Sequence, residues 1–432
     1  MRAFPNPGAL LSLLVLGAQL FACQQTPAHA DSGSQGEPNA SALAPDPAAA
    51  PAANGEVAQG EPSESSAAPG QGPAAEASAN APAAEVDTPP TAVEPSAELP
   101  EPVIPGATAG NIQPDDALAA DFRTMRPDPQ PDEIIRNSHY WVSNEYSHFL
   151  FRDTIANVGG AYMGVGTDQN YLLAGWARSE LIIMLDFDGE IARAHDLYGI
   201  AFREATTPDE FLSIWRDDGE KRFADLVPSY YPDDGERQRL LLRAFEWGGT
   251  TIFARLRRII RQYGDNGIPT FMTSQEEYDY LRNLWLTNRV FAIRGDLTGS
   301  LAIQDAAHML RRHNIPMRVL YTSNAEQYFT FTPEFRRNML VLPFDEQSWV
   351  VRTRPIEAWG LAPDDDYHYN VQGGLNFQLW MRGSSVSDCQ RLMRNRSQTG
   401  VTGLSRLQAP LPEDATTPPV ADAQWPEDVA QP

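Results

Sequence analysis

Residues 159–188 read GGAYMGVGTDQNYLLAGWARSELIIMLDFD, and their order decides the fold. Ala161 to Val165 is a short apolar run with strand character, and it runs into the turn Gly164-Val165-Gly166. Asp168 to about Arg178 is compatible with a helix. Leu181 to Leu185 is a second apolar run, closed by Asp186-Phe187-Asp188. Gly166 stands 20 residues before Asp186. The sequence of elements is strand, glycine turn, helix, strand, acid.

Downstream the pattern is interrupted and then resumes. Gly189 to Glu204 is amphipathic, with Ile191, His195, Leu197, Tyr198, Ala201 and Phe202 towards one side, so His195 reads as a core or groove histidine. Residues 207–288 form a long, mostly helical block. Thr207-Pro208 with Glu210, and Ser274 with Glu277, are helix-start signatures. Gly235 to Tyr263 reads as a helix with a break at Gly248-Gly249. This block is a helical insertion between the second and third strands, of the kind that covers a ligand crevice at the strands' carboxyl ends. Arg289 to Ile293 is then a strand, Ser300 to Asn314 a helix, and Met317 to Tyr321 a strand. Thr332 to Arg337 is a short helix. Met339 to Pro343, Trp349 to Arg354 and His368 to Met381 are strands, the last bulged at Gly373-Gly374. Strands alternating with helices give an α/β fold with a mostly parallel sheet, and the final pair gives it an antiparallel edge.

Upstream, Arg136 to Asp153 (RNSHYWVSNEYSHFLFRD) is aromatic-rich. It carries His139 and His148 without a CxxC or HExxH context, so no metal site is expected. The stretch reads as a helix covering the sheet edge, with polar tips.

A glycine turn after one strand and an acid closing the next is how nucleotide-binding α/β folds bring backbone to the ligand and a carboxylate to the ribose. Together with Gly295-Asp296-Leu297 after the third strand, this order resembles the S-adenosyl-L-methionine (SAM)-dependent methyltransferase fold, a Rossmann-like sheet. The resemblance implies that Gly164, Gly166, Asp168 and Gln169 lie against the methionine part of the cofactor. It gives the ribose hydroxyls to Asp186, with Asp188 as runner-up, and the adenine to Asp296 and Leu297. It places the catalytic groups after the fourth strand: Asn324 to orient a nucleophile, Tyr328 to stack on a planar substrate, and Glu326 as a general base. More narrowly, VSNE (142–145), GVGTDQN (164–170) and SNAEQY (323–328) are similar to an uncharacterised bacterial family of methyltransferase-like proteins, some of them lipoproteins; that resemblance spans roughly 136–383. Tyr162 stands where the methyltransferase pattern has an acid, and Asp168 or Gln169 where it has a third glycine. An open crevice over Gly164, Gly166 and Asp186 is expected of a ligand-binding protein, catalytic or not. A crevice filled by Tyr162, Gln169 or the insertion is expected of a surface interaction protein with a vestigial pocket.

The formal net charge of the 432 residues is −24, unevenly placed. Gln24 to Asp115 holds 13 acidic residues and no Lys or Arg, whereas Asp132 to Arg406 holds 36 acidic against 30 basic residues. No basic stripe is present, so a nucleic-acid partner is not expected. Arg2 followed by the apolar run Gly8 to Phe21 reads as a targeting segment, too short to span a bilayer. Leu20-Phe21-Ala22-Cys23 resembles a bacterial lipobox. Residues 1–23 are therefore expected as a lipoprotein signal peptide, Cys23 as the lipidation site, and the membrane of the cell envelope as partner. Cleavage after Ala30, at Ala28-His29-Ala30, is the alternative for ordinary secretion. Cys389 then lacks an intrachain partner, and no structural disulfide is expected. Residues 24–115 are Ala/Pro/Glu-rich and expected as a disordered tether; 116–406 as a methyltransferase-like domain with its insertion at about 207–288; and 407–432 as a disordered tail. The expected function is binding of SAM or a related nucleoside and methyl transfer to a small-molecule or envelope substrate. The alternative is a non-catalytic ligand-binding or surface interaction protein on the same fold.

Overall fold

The computed structural model describes residues 113–216 and 218–411. The expected signal segment, Cys23, Ala30, the tether up to residue 112 and the tail from residue 412 lie outside the described residues.

The described chain enters through α1 (Asp116–Phe122), whose cap Asp115 accepts the Leu118 N–H. A short α2 (Arg152–Ile155) leads into β1 (Ala161–Val165), α3 (Gln169–Ala177), β2 (Leu181–Asp186) and α4 (Gly189–Glu204). Four helices follow before the next strand: α5 (Pro208–Ile214), α6 (Gly219–Tyr230), α7 (Gly235–Gly264) and α8 (Gln275–Leu286). Thr207 and Ser274 cap α5 and α8, accepting from Glu210 and Glu277 backbone N–H as the capping boxes require. The α/β alternation resumes with β3 (Val290–Arg294), α9 (Ala302–Arg312), β4 (Met317–Ser323), α10 (Pro333–Val341), β5 (Trp349–Arg354) and β6 (His368–Gly373). The chain closes with α11 (Gly374–Arg382), α12 (Cys389–Leu392), β7 (Ser397–Gln398) and β8 (Leu404–Leu407).

The eight strands form one sheet in the order β3-β2-β1-β4-β5-β6-β8-β7. β3, β2, β1, β4 and β5 are parallel. β6 runs antiparallel to β5, β8 runs with β6, and β7 opposes β8. The sheet is thus mostly parallel with an antiparallel edge, as in Rossmann-like folds. The strand order reverses between β1 and β4, and a crevice at their carboxyl ends is the expected ligand position in such sheets.

Alternation along the strands divides the core in two. Tyr162, Ile182, Met184 and Val319 face one cluster with α3, α4, α7 and α8. Ala161, Met163, Ile183, Leu185 and Leu320 face the other, with α1, α9, α10, α11 and α12. Cys389 sits fully buried in the second cluster. The packed chain continues past the expected domain end at 406: Ala409 and Leu411 lie against this cluster, and the Ala409 carbonyl accepts from Asn376 and Trp380.

Several elements differ from the sequence expectations. Residues 339–343 are not a strand; α10 runs through Met339 to Val341. An apolar run of this length reads equally as strand or buried helix, and here the Thr332 cap has already started a helix whose Phe335 and Met339 share the buried side. The strand expected over 368–381 stops at Gly373 and turns into α11, whose Phe377, Trp380 and Met381 have helical spacing and are all buried. α7 does not break at Gly248-Gly249. Gly248 lets the helix approach Trp141: a Cβ there would lie 2.5 Å from the indole ring. β7, β8 and α12 were not foreseen, being two to four residues long.

Candidate functional site

A cavity of about 680 Å³ opens at the carboxyl ends of the parallel strands. Its floor comes from the residues that follow β1 (Gly166, Thr167, Gln169), β2 (Phe187, Asp188) and β3 (Gly295 to Thr298), and from the ends of β2 and β4 (Asp186; Ser323 to Ala325). Its size falls within the range of small-molecule and cofactor sites.

One wall is a segment that the sequence reading assigned to a helix. Residues 138–147 have no regular structure and cross the strand ends as a strap. The reason lies in their backbone partners, which are tertiary rather than local. Ser143 N–H donates to Asp168 Oδ1 at 2.9 Å, and Tyr146 and Ser147 N–H both donate to Asp365 Oδ2 at 2.8 Å. Arg255 of α7 donates to the Glu145 carbonyl at 3.2 Å, and Gln262 donates to the Tyr146 carbonyl. Arg255 also pairs with Asp168 at 2.7 Å, both side chains buried. Asp168 therefore does not line the cavity; it ties the strap to the insertion.

The glycine turn is clamped. Gly166 has φ of +85°, which only glycine adopts without strain, and a Cβ there would strike the Gln169 amide. Its N–H donates to Asp186 Oδ2 at 3.1 Å. Its carbonyl accepts from His195 Nε2 at 2.9 Å, and His195 Nδ1 accepts the Tyr171 hydroxyl at 3.0 Å. Thr167 N–H donates to Gln169 Oε1 at 3.2 Å. The N–H groups of Gly166 and Thr167 are thus committed to the protein's own side chains. Burial pushes the Asp186 carboxyl up to about 7 and holds His195 down at about 4.

Residues 140–408 match the family model described as Domain of unknown function (DUF7790). The chain belongs to this family. No curated protein matches it. The DUF7790 match spans the strap from Tyr140, the glycine turn, the insertion and every strand of the sheet.

In this DUF7790 domain, Gly166, Gln169, Asp186, Asp296 and Leu297 line the cavity, as do Asn324 and Tyr328, the latter 49% exposed. Three expected site residues stand elsewhere. Gly164 is covered, its Cβ position taken by Asn170 and the Tyr162 hydroxyl. Asp168 is in the buried pair. Glu326 is 1% exposed and bonded to Arg352 at 3.0 Å and the Thr322 hydroxyl at 2.7 Å, off the cavity. Ser323, at φ of +51°, resets the strand's alternation, so Asn324 faces the cavity and Glu326 turns into the core. Tyr162 is wholly buried and donates to Asn170 at 2.6 Å, so it does not fill the crevice. Gln169 folds back under the turn, its amide donating to the Val165 carbonyl at 3.1 Å. Asp188, the runner-up acid, caps α4 and pairs with His139 at 2.7 Å.

The sequence reading missed Glu145. Its buried carboxylate accepts the hydroxyls of Ser323 at 2.6 Å, Thr353 at 2.5 Å and Tyr321, and meets His148 Nε2 at 3.1 Å. Burial pushes this carboxyl up, but His148 and the hydroxyls outweigh it and the net shift is downward. Asp128 was also missed. It accepts N–H groups of Asp296, Ser300 and Leu301 at 2.9 to 3.1 Å and so fixes the turn that carries Asp296 and Leu297. Among the described residues no group of three or more His, Cys, Asp or Glu could hold a metal ion, and no helix is long and apolar enough to cross a membrane.

Proposed function

We propose that the cavity is a nucleoside site that takes SAM, and that the protein is a methyltransferase-like member of the Rossmann-like folds, exported and held at the cell envelope through Cys23. The observation that carries the reading is the pairing of charge and donors. Phosphate-binding turns offer free backbone N–H groups to the anion. Here those of Gly166 and Thr167 are already bonded to Asp186 and Gln169. Three carboxylates, Asp186, Asp188 and Asp296, line the cavity, with Arg136 the only Lys or Arg among the described residues to do so. Such a lining suits a nucleoside bearing a cation and opposes a pyrophosphate. When bound, SAM supplies an electrophilic methyl group on a sulfonium. In this reading Asp186 takes the ribose hydroxyls, Phe187 and Leu297 flank the base, Asp296 faces its polar edge, and Arg136 meets the carboxylate.

A second reading, ligand binding without catalysis, has one observation in its favour. Glu326, the expected base, is spent on Arg352.

Titration calorimetry of the protein with SAM, S-adenosylhomocysteine and NAD tests the proposal, with Asp186→Ala as control. Binding of SAM that the variant loses, and no binding of NAD, is the expected result. No binding of either adenosyl compound at millimolar concentration would sink it.

A further inference from the structure

We propose that the strap end of the cavity is a second subsite, for a neutral planar carboxamide or a heterocycle with the same hydrogen-bonding edge, held by Asn144, Asn324 and Tyr367. This names the class of molecule presented to the SAM end. It rests on the previous reading for the pairing of the two ligands, not for the binding itself.

The three residues come from the strap, the end of β4 and the approach to β6, and all line the cavity. The Tyr367 hydroxyl accepts from Asn144 Nδ2 at 2.8 Å and from Asn324 Nδ2 at 3.1 Å. A phenol oxygen has two acceptor positions and one hydrogen. Both positions are filled, so the hydrogen points to neither asparagine and is left for a ligand. Each asparagine that donates through Nδ2 keeps its carboxamide oxygen as an acceptor. The wall therefore offers one O–H donor flanked by two C=O acceptors. A carboxamide has the complement, a carbonyl oxygen beside an N–H2.

The array is also neutral. Burial and the Glu145 charge push the Tyr367 phenol up to about 12, so it keeps its hydrogen. The nearby Ser323 hydroxyl is spent on Glu145. A carboxylate placed here would lose water without meeting an opposite charge. Tyr140 and Tyr328, 43% and 49% exposed, line the same cavity, and aromatic side chains there suit a flat ligand.

Ligand-observed NMR titration of the protein with benzamide, benzoate and benzamidine, three ligands of one shape and different charge, tests the subsite. Benzamide is expected to bind at least about tenfold more tightly than benzoate. Tyr367→Phe should weaken benzamide by roughly 3- to 10-fold while SAM binding is kept. Asn144 is exposed, so Asn144→Asp leaves the fold intact; there Tyr367 turns its hydrogen to the new carboxylate, and benzamide should weaken while benzamidine gains on it relative to the native protein. Benzoate binding equal to that of benzamide, or benzamide affinity indifferent to Asn144→Asp, overturns the subsite. Benzamide binding that responds to these variants in a protein that does not bind SAM keeps the subsite and removes the SAM reading. The reverse pattern removes the subsite alone.

Discussion

Gly166 is held at both ends, its N–H by Asp186 and its carbonyl by His195. Burial moves the two partners in opposite directions, to about 7 and about 4. For Asp186 the folded value lies above the ordinary one, so between about pH 4 and 7 the folded chain holds a proton the unfolded chain has released; stability falls as pH rises. For His195 the folded value lies below the ordinary 6.5, so its contribution is complete above that pH and lost as pH falls towards 4. The slopes oppose each other. Urea unfolding from pH 4.5 to 7 should give a flatter profile for the native protein than for either variant, stability rising with pH in Asp186→Asn and falling with pH in His195→Gln. Parallel profiles in all three would refute this coupling. A ligand whose hydroxyls donate to Asp186 favours its ionised form, so SAM affinity should rise as pH passes 7, and Asp186→Asn should abolish that rise.

At the scale of elements, α7 and the strap act as one unit. Arg255 and Asp168 are buried together, and removing one partner strands the other charge. Arg255→Met should cost about 3–5 kcal/mol in denaturant unfolding, more than an exposed arginine of the same helix such as Arg239, for which less than about 0.5 kcal/mol is expected. Gly248→Ala gains helix propensity, but its methyl meets the Trp141 ring. The expected balance is a net loss of about 1–3 kcal/mol with weakened SAM binding, read by melting and calorimetry; a more stable variant would show that the strap yields freely. These contacts also explain what could be read beforehand. The Gly166–Asp186 pair was legible because 20 residues of strand, turn and helix fix its spacing. The strap was not, because its partners Asp168, Arg255 and Asp365 lie 25, 110 and 219 positions away and leave no local periodicity. Glu326 was misjudged for a smaller reason: one left-handed residue, Ser323, changes which side of the chain faces the ligand.

Over the whole molecule, the parallel half of the sheet was legible because each strand is followed by a turn signal and a helix-length pattern. The far edge was not. β8 has four residues and β7 two, and what orders them is pairing with β6 rather than their own sequence. The charge distribution belongs to this scale too. The acidic excess lies between the proposed anchor Cys23 and the described residues. Cys23→Ser should therefore move the protein from the membrane fraction to the soluble fraction of the producing cell, and unchanged membrane association would remove the anchor. Cys389 has a different use. With Cys23 lipidated, as proposed, or removed, it is the only free thiol of the two cysteines. It is fully buried, and burial together with Glu326 pushes its pKa well up. A thiol reagent can react with it only when the second core opens. Its labelling rate is thus a built-in clock for that opening. The same rate, followed as ligand is added, gives the cavity's occupancy without any probe having to be introduced.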